Sequence, residues 1–188
     1  MAKRSYTNIA VFTHNNGSVI AINDNLQPVD VMVKFANVDF SGSVISKDEK
    51  QVTLDADSVK EVFAINKMEF QQSLHKVVTV AEIYYQDKLQ ARTTKYYKPF
   101  KELELRQAKV TCSEGNNDKT MVFASDGLVK NLFVNYPGVR LSDNYFDVVP
   151  GYPVTVEILS EHRLGGAWKQ NVRFMSVRES SESGEMLM

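Results

Sequence analysis

Three histidines and one cysteine are the residues most able to do chemistry in this chain. His14, His75 and His162 are far apart in the sequence, and none has the histidine-x-histidine or HExxH spacing of a metal site. Cys112 is the only cysteine, which excludes an internal disulfide and a multi-cysteine zinc site. Its place in an alternating run predicts a small buried hydrophobic residue on a strand. The sequence therefore predicts neither a metal ion nor a cofactor.

The carboxylates, glycines and aromatic residues offer three weaker signals. Asp55 and Asp57 resemble the start of a calcium loop, but the following Asp/Asn-Gly step and the distal glutamate are missing. There is no glycine-rich phosphate loop and no GxSxG motif. Asn16-Gly17-Ser18 matches the N-glycosylation pattern, although a hairpin turn also explains the flanking strands. Trp168 follows a Gly-Gly pair at a predicted hairpin end, and it is the candidate for a sugar contact.

Composition and charge exclude several classes of protein. The 188 residues are 43% hydrophobic and 24% charged, which favours a packed globular chain. The formal net charge is −1 and no basic arm is present, so no nucleic-acid partner is expected. No apolar run approaches the ~20 residues of a membrane helix, and the first residues lack the apolar segment of a signal peptide. The compartment stays unknown.

Alternation with period two dominates the chain and predicts an all-β fold. The most regular runs are 30–35, 77–85, 154–159 and 172–177, and the almost wholly apolar run 77–85 predicts a central strand. Asn16-Gly17, Asp126-Gly127 and Gly165-Gly166 each separate two apolar runs, as expected of tight hairpin turns. Residues 57–63 have the capping signals of a short helix, but the runs on either side favour a strand.

Strands at this spacing indicate sandwiches or barrels, and a seven-stranded immunoglobulin-like sandwich takes ~100 residues. The chain is therefore predicted to hold two tandem immunoglobulin-like β-sandwiches. The alternating pattern breaks at Pro99, which cannot donate to a strand ladder, and charged residues follow it. We predict a first sandwich over residues 1–101, a second over 102–178 and a flexible tail over 179–188.

One segment carries a specific family resemblance. Residues 142–151 read Ser-Asp-Asn-Tyr-Phe-Asp-Val-Val-Pro-Gly and resemble the Asp-Asn-Tyr-Phe-Asp-Leu-Leu-Pro-Gly signature near the C-terminus of β-mannosidases in glycoside hydrolase family two. The runs 29–35 and 97–103 are similar to the preceding sandwich of those enzymes. Exo-β-glucosaminidases of the same family end similarly. By residue type the signature predicts a structural corner rather than a reaction centre. Its residues are Asp143, Asn144, Tyr145, Phe146, Asp147, Pro150 and Gly151.

The resemblance implies a parent enzyme and a catalytic part that this sequence does not contain. Such enzymes perform retaining hydrolysis with two glutamates on a (β/α)₈ barrel, which alone needs ~250 residues. Their acid/base glutamate follows an asparagine, and Asn-Glu occurs nowhere in this sequence. The chain is thus expected to be a non-catalytic C-terminal fragment of a β-mannosidase-like exoglycosidase. Its expected partner is the catalytic barrel, with carbohydrate as a second option, and such parents are often exported or lysosomal.

Two alternatives from other classes stay open. A free-standing carbohydrate-binding module would use exposed tyrosine or tryptophan rings as its platform. A cell-surface scaffold protein would use the same sandwiches as spacers. An upstream reading frame encoding a barrel with Asn-Glu would decide for the enzyme fragment.

Overall fold

The computed structural model describes residues 7–161, 163–166 and 168–176. These residues form two compact units. The first unit contains residues 7–39 and Ser43–Glu104, and the second contains Phe40–Gly42 and the described residues from Leu105 onward. The predicted tail, residues 179–188, lies outside the described residues. No helix in the described part of the chain is long and apolar enough to cross a membrane.

The described residues of the first unit form seven strands in two antiparallel sheets. One sheet has the order β4-β3-β6-β7 and the other the order β1-β2-β5. The strands are β1 (Ile9–Thr13), β2 (Ser18–Asn23), β3 (Val29–Asp39), β4 (Val44–Leu54), β5 (Ser58–Ala64), β6 (Val77–Tyr85) and β7 (Lys88–Tyr96). Four strands opposite three is the immunoglobulin-like arrangement that the spacing predicted.

Alternation places the core of this unit between its two sheets. On β3, Val31 and Val33 are buried, whereas Asp30 is exposed. Residues of β1 and β2, among them Val11 and Val19, belong to the same core. The first seven residues of β6 are all buried and β6 pairs with strands on both sides, so the prediction of a central strand is confirmed.

The described residues of the second unit form six shorter strands, also in two antiparallel sheets. The sheet orders are β12-β9-β8 and β11-β10-β13. The strands are β8 (Val110–Glu114), β9 (Thr120–Ser125), β10 (Val129–Asn135), β11 (Phe146–Val148), β12 (Val154–Glu157) and β13 (Arg173–Met175). Phe123 and Phe146 are buried in the core, with ring centroids 5.4 Å apart. The all-β sandwich prediction is confirmed in both units.

Two of the three predictions of a hairpin turn are wrong. Asn16-Gly17 does join the paired strands β1 and β2, and Gly17 has a φ of 100°. Asp126-Gly127 instead connects β9 and β10, which lie in different sheets. A Cβ on Gly127 would lie 2.9 Å from the Cβ of Ala108, so this glycine serves close packing rather than a primed turn. Gly165-Gly166 leads into a short 3₁₀ helix, Trp168–Gln170, and not into a paired strand.

Residues 58–63 belong to a strand and not to the alternative short helix over residues 57–63. Asp57 has a φ of 47°, and Ser58–Ala64 is strand β5, paired with β2. Val62 and Phe63 pack on the core of the first unit, which explains their apolar character without a helical face. Pairing along β2 has therefore overridden the local capping signals.

Candidate functional site

The signature segment forms a corner in the second unit, and we call Asp143–Gly151 the signature corner. Asn144 occupies its centre and takes the place of a strand residue beside β10. Its side-chain Nδ2 donates to the carbonyl oxygen of Val134 at 2.8 Å, and its Oδ1 accepts from the backbone N–H of Val134 at 2.7 Å. One side-chain amide therefore satisfies both backbone groups of a buried strand residue.

Asp147 binds an irregular point of the same strand. The pairing of β10 with β11 shifts register between Val129 and Leu132, and Asn131 has a φ of 50° within this bulge. Asp147 Oδ1 accepts from the backbone N–H of Asn131 at 3.0 Å, and Oδ2 lies 2.6 Å from Lys130 Nζ. The side chains of Lys130 and Asp147 are each only 14% exposed. Asp147 thus holds the bulge through a shielded, charge-assisted pair.

The two aromatic residues of the corner differ in exposure. Phe146 is buried against Phe123, whereas Tyr145 is 56% exposed. Tyr145 has a φ of 58°, a rare conformation for a large side chain. Its ring stacks on Phe133 with centroids 5.1 Å apart and planes at 29°. One face of the tyrosine ring is therefore occupied by a protein neighbour.

The remaining signature residues close the turn. Asp143 Oδ1 accepts from the backbone N–H of Asn144 at 2.8 Å. Gly151 has a φ of 82°, a conformation that favours glycine, and Tyr152 N–H donates to the carbonyl of Val149 at 2.9 Å. Because the side chains of Asp143, Asn144 and Asp147 all bind backbone groups of the corner or of β10, the arrangement is suited to fixing a fold.

Trp168 is not an exposed platform. It begins the short 3₁₀ helix, is buried, and belongs to the core of the second unit. The prediction of a hairpin end at this position is wrong, because the strands before and after Trp168, β12 and β13, lie in different sheets. A sugar contact would need an open ring face. The burial of Trp168 removes the reason for proposing one there.

Three tyrosines of the first unit are also held by protein neighbours. Tyr85 and Tyr97 pack on the core of the first unit, and the Tyr84 hydroxyl donates to Glu82 Oε2 at 2.8 Å.

The cysteine and the described histidines are not arranged for catalysis. Cys112 packs against the core of the second unit, and burial raises the pKa of its thiol to about 12. The thiol is therefore protonated, and a poor nucleophile, at neutral pH. His14 is exposed, and His75 Nε2 lies 3.1 Å from Glu104 Oε2. His162 lies outside the described residues. Within the described part of the chain, no group of three His, Cys, Asp or Glu residues could hold a metal ion.

Sequence reasoning missed a row of charges across the four-stranded sheet of the first unit. Glu49 on β4, Lys34 on β3, Glu82 on β6 and Arg92 on β7 face one another in register, and we call them the charged row. Lys34 Nζ lies 2.7 Å from Glu49 Oε2, and Arg92 Nη2 lies 2.6 Å from Glu82 Oε1. Facing residues of the row lie 10 to 48 positions apart in the sequence, so only strand register could have revealed the row.

The charged row is paired rather than reactive. The hydrogen bond between Lys34 and Glu49 raises the pKa of the lysine and lowers the pKa of the carboxyl. Glu82 is buried. One of its carboxylate oxygens accepts a hydrogen bond from Arg92, and the other accepts one from the hydroxyl of Tyr84. A carboxylate held in this way is not available as a general base.

Comparisons with known proteins agree with this geometry. Residues 15–102 match the model of the mannosidase Ig/CBM-like domain, and residues 103–180 match that of the Ig-fold domain of mannosidases. β-Mannosidase B of Aspergillus terreus is 29% identical over 133 residues, which are 68% of this chain and 16% of that protein.

Two solved structures share the fold. The β-D-mannosidase of Dictyoglomus thermophilum superposes with a TM-score of 0.77 at 18% identity, over 93% of this chain and 22% of that one. The exo-chitosanase of Amycolatopsis orientalis superposes with a TM-score of 0.58 at 13% identity, over 93% of this chain and 26% of that one. The chain thus spans about a quarter or less of each relative. The two family matches together cover nearly all of it, and it belongs to the immunoglobulin-like domains of family-two β-mannosidases.

Proposed function

We propose that this chain is the non-catalytic C-terminal sandwich region of a β-mannosidase-like exoglycosidase, and that it packs against and supports the catalytic barrel. The parent reaction would be hydrolysis of terminal β-mannosyl residues. The observation that carries the proposal is the signature corner, where Asn144 and Asp147 bind backbone groups of β10. The most specific motif of the chain is therefore used for structure.

The carboxylates support a non-catalytic role. A retaining glycosidase needs one carboxyl group with a raised pKa and a second about 5–5.5 Å away as nucleophile. Glu82 and Asp147 are shielded from solvent, but each is paired with a cation, Arg92 and Lys130 respectively. The oxygens of these carboxylates already accept from Arg92, Tyr84, Lys130 and the N–H of Asn131, so neither group is free to act on a substrate.

The size of the relatives supports a role within a larger enzyme. The chain spans 16% of β-mannosidase B and 22% of the D. thermophilum mannosidase. A barrel of ~250 residues does not fit within 188 residues that already form two sandwiches.

The proposal is tested with the full chain and a fluorogenic aryl β-mannoside. We expect no turnover from the purified chain. We expect the chain to bind the remainder of A. terreus β-mannosidase B, produced without the segment that matches this chain, and to raise its melting temperature. Turnover that follows the protein peak through purification would contradict the proposal, as would failure to bind when the enzyme's own excised segment rebinds.

A carbohydrate-binding module is the second candidate, and Tyr145 is the observation that favours it. Its ring is 56% exposed and is held by Phe133 on one side. Sugars stack on such rings, but a specific site also needs several convergent polar groups, and Asn144 and Asp147 already bind backbone. We expect titration with mannobiose to show weak binding or none. A micromolar dissociation constant that Tyr145→Ala abolishes would favour the binding module.

A further inference from the structure

The outer face of the β1-β2-β5 sheet in the first unit is apolar. Ala10 lies opposite Ile22, which lies opposite Val59, and Phe12 lies opposite Ile20 in the neighbouring row. We call these five side chains the apolar face. None of them belongs to the core cluster between the sheets. In these two rows of the described sheet, the one charged residue is Glu61, opposite Ile20.

This face departs from the ordinary pattern of an antiparallel sheet, which packs one face on the core and presents a polar face to water. On β2, Val19 and Ala21 enter the core while Ile20 and Ile22 point outward, so the strand is apolar on both faces. Such a strand is typical of a sheet covered on both sides. The four-stranded sheet of the same unit differs, because its outer face carries the charged row, and four apolar residues on that face are buried, namely Ala36, Val38, Val78 and Val80.

The side chains of the apolar face are open to solvent. Phe12 is 50% exposed and Val59 is 68% exposed, while Ala10, Ile20 and Ile22 are partly covered by their neighbours. Together the five side chains expose on the order of 300 Å², which is comparable to the largest apolar patch on a typical monomer, and such patches are often functional. The face is therefore a candidate docking surface.

The small area favours a covalently linked occupant over a second copy of the chain. A symmetric dimer through this face would bury about 600 Å² in total, well below the ~1,200 Å² of a stable interface between free proteins. Interfaces between domains of one polypeptide begin at about 600 Å², because linked domains avoid most of the entropy cost of association. The relatives are four to six times longer than the matched segment, so such a linked region exists in each of them.

We propose that the apolar face docks the chain onto the remainder of its parent glycosidase, through an uncharged, apolar surface on that remainder. The inference rests on the proposed function and adds the surface that performs it. Phe12 and Val59 are the anchors, because they have the most surface left to bury.

The test compares two double variants of the full chain. Phe12→Glu with Val59→Glu places charges on the apolar face, whereas Leu26→Glu with Met68→Glu changes two exposed apolar residues outside it. Binding to the remainder of A. terreus β-mannosidase B, without its matching segment, is measured by biolayer interferometry at protein concentrations up to the high micromolar range, because an interface of this size is expected to be weak when the two parts are not linked. We expect about 100-fold weaker binding for the first variant, because it buries two unpaired charges, and at most about threefold for the control.

A milder double variant controls for the case in which the glutamate substitutions prevent folding. Phe12→Ser with Val59→Thr should weaken binding about tenfold while circular dichroism and the melting temperature stay those of the wild type.

Each outcome decides between the two proposals. If the wild-type chain does not bind while the enzyme's own excised segment does, the proposed function is overturned. If the wild type binds and the Phe12/Val59 variants bind equally well, the proposed function stands and the assignment of this face is overturned. If the wild-type chain alone sediments as a dimer and the Phe12/Val59 variants sediment as monomers, the apolar face binds a second copy of the chain. That result would overturn the proposal that the face docks onto the linked remainder of the enzyme.

Discussion

The side-chain amide of Asn144 bonds both backbone groups of Val134, at 2.7 and 2.8 Å. A side chain here performs the pairing that a neighbouring strand would otherwise supply. Val134 is a buried core residue, so its N–H and C=O would be costly to leave unpaired. This relationship explains why an asparagine, with one donor and one acceptor on a planar group, occupies this position of the signature.

Replacement of Asn144 by alanine should therefore destabilise the second unit markedly. Loss of the amide leaves one backbone donor and one acceptor unpaired, each costing about 1–3 kcal/mol. We expect a fall of about 2–4 kcal/mol in the free energy of unfolding, measured by urea denaturation. Asn144→Asp keeps an acceptor for Val134 N–H but loses the donor to Val134 C=O, so its loss should be smaller.

The matched control is Asn135→Ala, one residue beyond Val134 on the same strand. Asn135 is exposed, and an exposed substitution away from such contacts changes stability by about 0.5 kcal/mol or less. Equal losses at positions 135 and 144 would show that the amide clamp contributes nothing specific.

Lys130 and Asp147 should be energetically coupled. Asp147→Asn keeps an oxygen acceptor for the N–H of Asn131 but removes the negative charge 2.6 Å from the Nζ of Lys130, whose side chain is 14% exposed. We expect a loss of about 1–3 kcal/mol for Asp147→Asn and a smaller loss for the double variant with Lys130→Met. A double-mutant cycle by thermal unfolding measures the coupling. Strictly additive losses would show that the pair is only a surface contact.

The raised pKa of Cys112 predicts a specific loss of stability in alkali. Burial raises the pKa of the folded thiol from the ordinary 9.0 to about 12, so between these values the folded state binds more protons than the unfolded state. Stability contributed by the neutral thiol is complete below about pH 9 and declines as the pH rises towards 12. Wild type should therefore lose more stability over this interval than Cys112→Ala, measured by urea denaturation at each pH. Parallel curves for the two proteins would contradict burial of the thiol.

Local patterns in the sequence predicted the strands well where burial alternates along them. Val31 and Val33, for example, are buried as their period-two spacing requires, and Phe146 is buried while Tyr145 is exposed. The signature residues were also identifiable, since their types suit a corner. These predictions need only information from neighbouring positions.

Features that depend on which strands pair could not be predicted in this way. Asp126-Gly127 has the composition of a hairpin turn, but β9 and β10 pair with other strands, so the glycine serves a close approach to Ala108. Trp168 was expected at a hairpin end for the same reason and instead lies in the core. The charged row and the apolar face likewise require strand register, which single-sequence periodicity does not contain.

Phe146→Ala tests the packing of the corner and the division of the chain together. Phe146 is fully buried between the sheets of the second unit, and truncating such a ring typically costs about 3–5 kcal/mol. A domain has only about 5–15 kcal/mol to lose, so differential scanning calorimetry should show one transition at a clearly lower temperature. The transition of the first unit should be nearly unchanged, because we propose that the sandwiches divide between residues 99 and 104.

Phe63→Ala is the converse variant, since Phe63 packs on the core of the first unit and lies 4.9 Å from Phe35, centroid to centroid. It should lower the transition that Phe146→Ala leaves in place, although by less, because Phe63 is only partly buried. If each variant lowers one transition, the two sandwiches are independent cooperative units. If either variant lowers both transitions together, the sandwiches unfold as one unit and the proposed division is wrong. If Phe146→Ala melts like the wild type, the ring does not contribute to the core, and the corner would instead present it to a partner.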